Sequence, residues 1–266
     1  MHTVKIDNLD GIKDLLFEQE RNLDNGRYRS SYLYRGMPDP SFSLTTSLSR
    51  NCGDKAQLLE KHLLENFIKY ASIEEPSINE SIWKAMIMGQ HHGLPTRLLD
   101  WTHSTLVALH FANTEANLAD LDARDCVVWR IDVRELNKRL PQSYRKALDD
   151  RKTFIFSVDN LARVTNSIEE YDADMKGSAF VTVEPPSIDQ RIVNQYSFFT
   201  IMPNGISKLE DYLADTENTV KYIIDKSLRW DLRDVLDQLN MNERMIYPGL
   251  DGIAKWLARH YYVRND

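Results

Sequence analysis

The sequence predicts an α+β fold: a single domain, residues 1–266, with a mixed, largely antiparallel sheet flanked by helices. Three observations predict it. Stretches with helical apolar spacing and stretches of β-branched and aromatic residues are scattered along the chain, whereas a doubly wound sheet needs strict alternation. Hydrophobic residues make up 42% and charged residues 27%, a globular balance that can bury a core. No internal repeat, low-complexity tract or Pro/Gly/Ser-rich linker divides the chain.

The elements follow in order. Residues 8–19 space Leu9, Ile12, Leu15 and Leu16 as one helix face, with Asp7 or Asn8 placed as its cap. SYLYR at 31–35 reads as a strand halted by Gly36 and Pro38. Residues 54–70 carry Leu58, Leu59, Leu63 and Phe67 at helical spacing, and 82–90 reads as a helix closed by Gly89 or Gly93. Thr102 or Ser104 can cap a helix bearing Leu106, Val107, Leu109, His110 and Phe111. CVVWRIDV at 126–133 and AFVTV at 179–183 are strands, the second stopped by Pro185 and Pro186. Residues 191–201 read as a further strand and 153–157 as a weaker one. From Lys221 the chain turns helical, and GLDGIAKWLARHYY ends it in a helix.

With 33 basic and 40 acidic residues the net charge is −7, so binding to nucleic acid is not implied. Two distant cysteines, Cys52 and Cys126, fit a reduced compartment. The charged N-terminus lacks the apolar run of a signal peptide, and no stretch reaches membrane-spanning length. A soluble cytoplasmic protein is expected, without a membrane partner.

Two short strings carry the chemistry. In Tyr34-Arg35-Gly36, an arginine at a strand end can clamp phosphate while glycine admits a ligand to the backbone. A surface strand beside a turn is the bland alternative. In QHHGLPTRLLDWTHS at 90–104, adjacent His91 and His92 face different ways and lack the further ligands of a metal site. Either histidine could be a general base or simply bonded within a turn. Arg97 and Asp100, three apart, are expected to pair and hold this segment as a loop. Trp101 could be core or stack on a planar ring. Thr45-Thr46-Ser47 reads as a polar turn that could also meet a ribose or phosphate. Arg191 and Gln195, four apart on the presumed strand, share a face. P-loop, GxGxxG and serine-nucleophile motifs are absent.

These blocks resemble the FRG domain family, named for a Phe/Tyr-Arg-Gly signature, here Tyr34-Arg35-Gly36. Residues 90–102 with the following helix resemble its second block, Arg191-Ile192 with Gln195 and Phe198 its third, and 247–253 its fourth, so the resemblance runs from about 30 to 260. The sequence departs from the pattern at Tyr196-Ser197, where a glycine commonly precedes the aromatic. The family occurs in bacteria and phages, often near defence or toxin genes. The strand ending in Tyr34-Arg35-Gly36 also resembles the first core strand of arginine-type ADP-ribosyltransferases. In those enzymes the arginine holds the NAD phosphates and the backbone beside the glycine receives the nicotinamide amide. A Ser/Thr-rich strand and a Glu or Gln near a later strand complete the site. Thr45-Thr46-Ser47 comes too early for that strand, and no Glu-x-Glu or Gln-x-Glu pair is present.

The resemblance implies an ADP-ribosyltransferase-like core and an enzyme that uses NAD as substrate, acting as a toxin or defence effector. Arg35, His91 and Gln195 would be catalytic, and Tyr34, Arg35, Gly36, His92, Trp101 and Arg191 would bind the dinucleotide. Arg35 and the segment 90–101 should then line one concave site, with Arg191 and Gln195 beside them. Implied partners are a nucleotide or phosphorylated small molecule, and an antitoxin or host protein; no metal is implied. The alternative is a non-catalytic module that recognises a phosphorylated ligand or protein partner with the same cleft.

Overall fold

The computed structural model describes residues 1–21, 26–206 and 208–264. Within them, strands β1 (His2–Ile6), β2 (Tyr32–Met37), β3 (Leu98–Thr102), β4 (Cys126–Asp132), β5 (Phe156–Ser157), β6 (Val181–Glu184), β7 (Ser197–Ile201) and β8 (Val220–Ile224) form one open sheet, in the order β1-β8-β4-β2-β3-β7-β6-β5. The outermost pairs, β1–β8 and β5–β6, are parallel, and the pairs between them are antiparallel. The fold is α+β, with helices on both faces of the sheet.

The seam lies in the middle. β2 pairs with β4 from Tyr32↔Asp132 to Met37↔Val127, and β3 pairs with β7 from Leu98↔Ile201 to Thr102↔Ser197. Yet β2 and β3 meet at one position, Tyr34↔Thr102. Each half-sheet has its own apolar support. Tyr34, Val128 and Tyr222 pack with helices Leu9–Leu16, Thr105–Ala112 and Arg229–Gln238, whereas Leu98, Val181 and Ile201 pack with Ile82–His91, Gln142–Asp150 and Ile168–Met175. A third cluster, with Leu33, Leu99, Trp101 and Trp129, covers the opposite face across the seam.

Capping explains several helix starts. The Asn8 side chain accepts from the Gly11 amide and Ser104 from the Val107 amide, and each leaves its own backbone extended. The sequence by itself offers two candidate caps for each of these helices, Asp7 or Asn8 and Thr102 or Ser104. Residues 54–70 divide into a short 3-10 turn and the helix Ala56–Ala71.

Four expectations are corrected. Residues from Lys221 do not open a helix: Val220–Ile224 is strand β8, held between β1 and β4, where its β-favouring Val220, Tyr222, Ile223 and Ile224 suit a half-buried pleated surface. Residues 191–201 are not one strand. Asp189 caps the short helix Gln190–Asn194, and Tyr196, at φ 47°, then turns the chain into β7. That left-handed backbone is the one glycine adopts freely, which accounts for the glycine expected just before the aromatic.

Gly36 does not end its strand. A Cβ there would lie 1.8 Å from the Ala108 carbonyl oxygen and 2.5 Å from the Ala112 amide nitrogen, so the glycine lets helix Thr105–Ala112 lie on β2. Lastly, Arg97 and Asp100 do not pair. Both belong to an extended segment, where residues three apart point to opposite faces. Arg97 is buried against Glu60 and Asp172, and Asp100 is exposed. The stretch read as a loop is largely the end of a helix followed by β3.

The edge strand β1 is short and mostly exposed: Val4 and Ile6 share a face but only Ile6 is buried, so the sequence signal there is weak. Among the described residues no helix is long and apolar enough to cross a membrane.

Candidate functional site

The parting of β2 and β3 opens a chamber of about 200 Å³, lined by Tyr34, Arg35, Gly36, Asp100, Trp101, Thr102, Phe111, Arg191, Gln195 and Ser197. That volume lies below the roughly 300–1,000 Å³ of pockets that enclose whole ligands. It suits one ring-sized moiety with the remainder of a ligand running outward.

Arg35 spans the gap. Its Nη1 donates to the Asp100 carbonyl oxygen at 2.6 Å and approaches the Asp100 carboxylate at 3.5 Å. The strands cannot bond backbone to backbone here, and the guanidinium closes the seam instead. Its Nε is buried and has no hydrogen-bond partner among the described residues.

Asp100 is itself held. Gln90 Nε2 donates to both of its carboxylate oxygens, at 3.3 and 3.2 Å, while Gln90 Oε1 accepts from the Thr96 hydroxyl. This Thr96–Gln90–Asp100–Arg35 chain ties the end of helix Ile82–His91 to the seam. Gln90 and Thr96 escaped sequence reasoning as parts of one unit, since only the fold brings residues 35, 90, 96 and 100 together.

The far wall comes from the segment before β7. Thr102 Oγ1 donates to the Gln195 carbonyl at 2.7 Å, and Gln195 Nε2 donates to the Ile246 carbonyl at 3.3 Å. Gln195 caps the C-terminal end of Gln190–Asn194, and the spacing of four that was to put Arg191 and Gln195 on one strand face puts them on one helix side instead. Arg191 lies over the Tyr247 ring, 5.2 Å from its centroid, and forms no ion pair among the described residues.

The aromatic lining is more structural. Tyr34 is fully buried on the helix-facing side of β2, where burial and the Glu18 carboxylate push its phenol well above the ordinary range. It closes the chamber from within. Trp101 is also buried and its indole N–H donates to Thr200 Oγ1 at 3.1 Å, so the polar end of the ring is already satisfied. Phe111 was legible only as a helix residue, and its position at the seam comes from the docking of Thr105–Ala112 on Gly36.

His91 and His92 do not line this chamber. His91 Nε2 pairs with the carboxylate of Asp189, the residue that caps the Arg191 helix, and His92 is exposed at its own helix end. Thr45 and Thr46 line another cavity of about 240 Å³ with Arg97, but that guanidinium is already engaged by Glu60 and Asp172. Those carboxylates hold Arg97 protonated far above its ordinary range against the cost of burial. Thr46 caps helix Ser47–Cys52, and Ser47 exchanges hydrogen bonds with the Thr96 backbone, which makes this a structural turn.

Residues 30–120 match the family model of the FRG domain. Over that span the chain is similar to the FRG domain. Its matched span includes β2, β3, the helices between them and Thr105–Ala112. That span thus supplies Arg35, the Thr96–Gln90–Asp100 chain and Phe111, while Arg191, Gln195 and Ser197 come from the sequence beyond it. No curated protein and no solved structure matches the chain.

Proposed function

We propose that this protein is an ADP-ribosyltransferase-like enzyme that takes NAD as substrate. The observation that carries the reading is the convergence of Arg35 on β2, Thr102 on the adjacent β3 and Gln195 just before β7 on one chamber at the sheet's seam. The transferase resemblance asks for an arginine, a Ser/Thr strand and a later Glu or Gln. Thr102 fills the place that Thr45-Thr46-Ser47 came too early to fill. In this reading the chamber takes the nicotinamide ring, its ribose lies at the mouth, and Arg35 meets the adjacent phosphate. The C–N bond to nicotinamide breaks, its electron pair leaves with the ring, and an acceptor nucleophile attacks the ribosyl cation and gives up its proton. Positioning and electrostatics carry such a step. His91 acts at a distance, through Asp189, on the helix that presents Arg191.

A second reading is a non-catalytic module for a phosphorylated ligand. It is favoured by the chamber's one carboxylate, Asp100, which is occupied by Arg35 and Gln90. An effector role against a host protein, or control by an antitoxin, would suit either.

Thermal melting with NAD, ADP-ribose and other adenine nucleotides tests the reading, together with nicotinamide release. Binding should stabilise the protein by about 2.7 kcal/mol at roughly 100 times Kd, and Arg35→Ala should abolish that shift. Binding without nicotinamide release, in the presence of candidate acceptors, would select the module. No shift with any adenine nucleotide would overturn the NAD reading.

A further inference from the structure

Arg191 also borders a wider groove of about 670 Å³, lined by Asp189, Gln190, Arg191, Tyr247, Pro248, Asp251 and Lys255. Arg191 belongs to both walls. We infer that this groove is a second subsite, which binds the distal nucleotide of a nucleoside-diphosphate ligand whose other end fills the chamber. The inference rests on the proposed reading for what fills the chamber, but the groove's own chemistry stands apart from it.

Three features argue for an anionic occupant that carries a sugar. Two cations converge on one ring: the Arg191 guanidinium lies 5.2 Å and the Lys255 ammonium 5.1 Å from the Tyr247 centroid. Neither forms an ion pair among the described residues, in a chain of net charge −7 where carboxylates are plentiful. Both cations line the groove without an ion pair, so each is free to meet a phosphate there.

Second, the groove is braced. Asn194 Nδ2 donates to the Met245 carbonyl at 2.7 Å and Gln195 Nε2 to the Ile246 carbonyl at 3.3 Å, fixing the helix of Arg191 against the turn that precedes Tyr247. Asp189 is spent on the Ile192 amide and on His91, so it does not neutralise Arg191. Third, Asp251 faces the same groove with neither an ion pair nor a hydrogen bond among the described residues, and a free carboxylate there accepts from ribose hydroxyls. A bare polyphosphate would gain nothing from it.

The experiment measures binding of inorganic pyrophosphate, ADP, ADP-ribose and NAD by calorimetry to the full chain and to Lys255→Ala, Asp251→Asn and Arg35→Ala. Lys255 and Asp251 are exposed, so those variants keep the fold, which melting confirms. Lys255→Ala should weaken ADP and ADP-ribose about tenfold, roughly one charge-assisted contact. Asp251→Asn should weaken ADP and leave pyrophosphate unchanged. ADP bound as tightly by Lys255→Ala as by the wild type overturns the subsite while the chamber reading stands, provided NAD still binds and Arg35→Ala loses it. ADP bound through Lys255 with no NAD binding keeps the groove and overturns the NAD reading. An unchanged ADP affinity in Asp251→Asn overturns the nucleotide assignment, and a wild type that binds none of the four overturns both.

Discussion

Arg35 Nη1 donates to the Asp100 carbonyl at 2.6 Å, across a gap where β2 and β3 share only the pair Tyr34↔Thr102. A side chain thus takes the place of the missing backbone ladder. The arrangement leaves the seam adjustable, since one guanidinium can exchange a carbonyl for a ligand oxygen at small cost in backbone strain.

The two charged residues of the central motif should separate cleanly. The Asp100 side chain is 58% exposed and that of Arg97 3%. Asp100→Ala removes an exposed contact and should cost no more than about 1 kcal/mol of stability, while weakening ligand binding by loosening Arg35. Arg97→Ala leaves the buried Glu60 carboxylate without its cation and Asp172 with only its Asn204 hydrogen bonds, and should cost about 3–5 kcal/mol. Urea midpoints of the two variants check this. Equal losses would mean that Asp100 carries structure after all.

Gly36→Ala should be severe. The added methyl would meet the Ala108 carbonyl oxygen at 1.8 Å, and backbone on a packed helix has little room to retreat. A loss of about 3 kcal/mol or more is expected, the upper end for overpacking, with helix Thr105–Ala112 displaced from β2. Circular dichroism melting measures it. A near-neutral change would show that the helix is free to lift from the sheet.

Tyr196→Gly should move the other way. The residue sits at φ 47° with its side chain largely exposed, so glycine relieves backbone strain and gives up little packing. The expected gain is about 0.5–1 kcal/mol, partly offset by the entropy of the unfolded glycine chain. Loss of stability would instead assign the Tyr196 ring a packing role.

His110 makes stability depend on pH. Burial first, and then the Arg233 guanidinium, push its pKa down to about 3, and Arg233 Nη1 bonds to its Nδ1. The folded state keeps the ring neutral while the unfolded chain protonates near its ordinary value of 6.5. The unfolded state therefore binds more protons between those values. This contribution is complete above pH 6.5 and is lost as the pH falls toward 3, by up to about 1.4 kcal/mol per unit. His110→Asn, which retains an acceptor for Arg233, should show a flatter decline in denaturant midpoint from about pH 6 to pH 4. An unchanged slope would place the titration on other groups.

Local information made much of this protein legible. The amphipathic spacing of Leu9, Ile12 and Leu15 and the β-branched run CVVWRID announce their elements, because burying one face demands that period whatever the partner. Tyr34-Arg35-Gly36 and the 90–102 block marked the residues around the seam through resemblance. What the string could not show is which groups meet across long separations. Arg97 finds Glu60 and Asp172 instead of Asp100, since strand alternation turns the near neighbour away and the fold brings carboxylates from 37 and 75 residues off. Val220–Ile224, read as the start of a helix, is a strand between β1 and β4; its alternation of buried Val220, Tyr222 and Ile224 was masked by the helical spacing that follows it. The chamber exists because β2 and β3 part after the one pair Tyr34↔Thr102, a relationship across 68 residues that no single segment encodes.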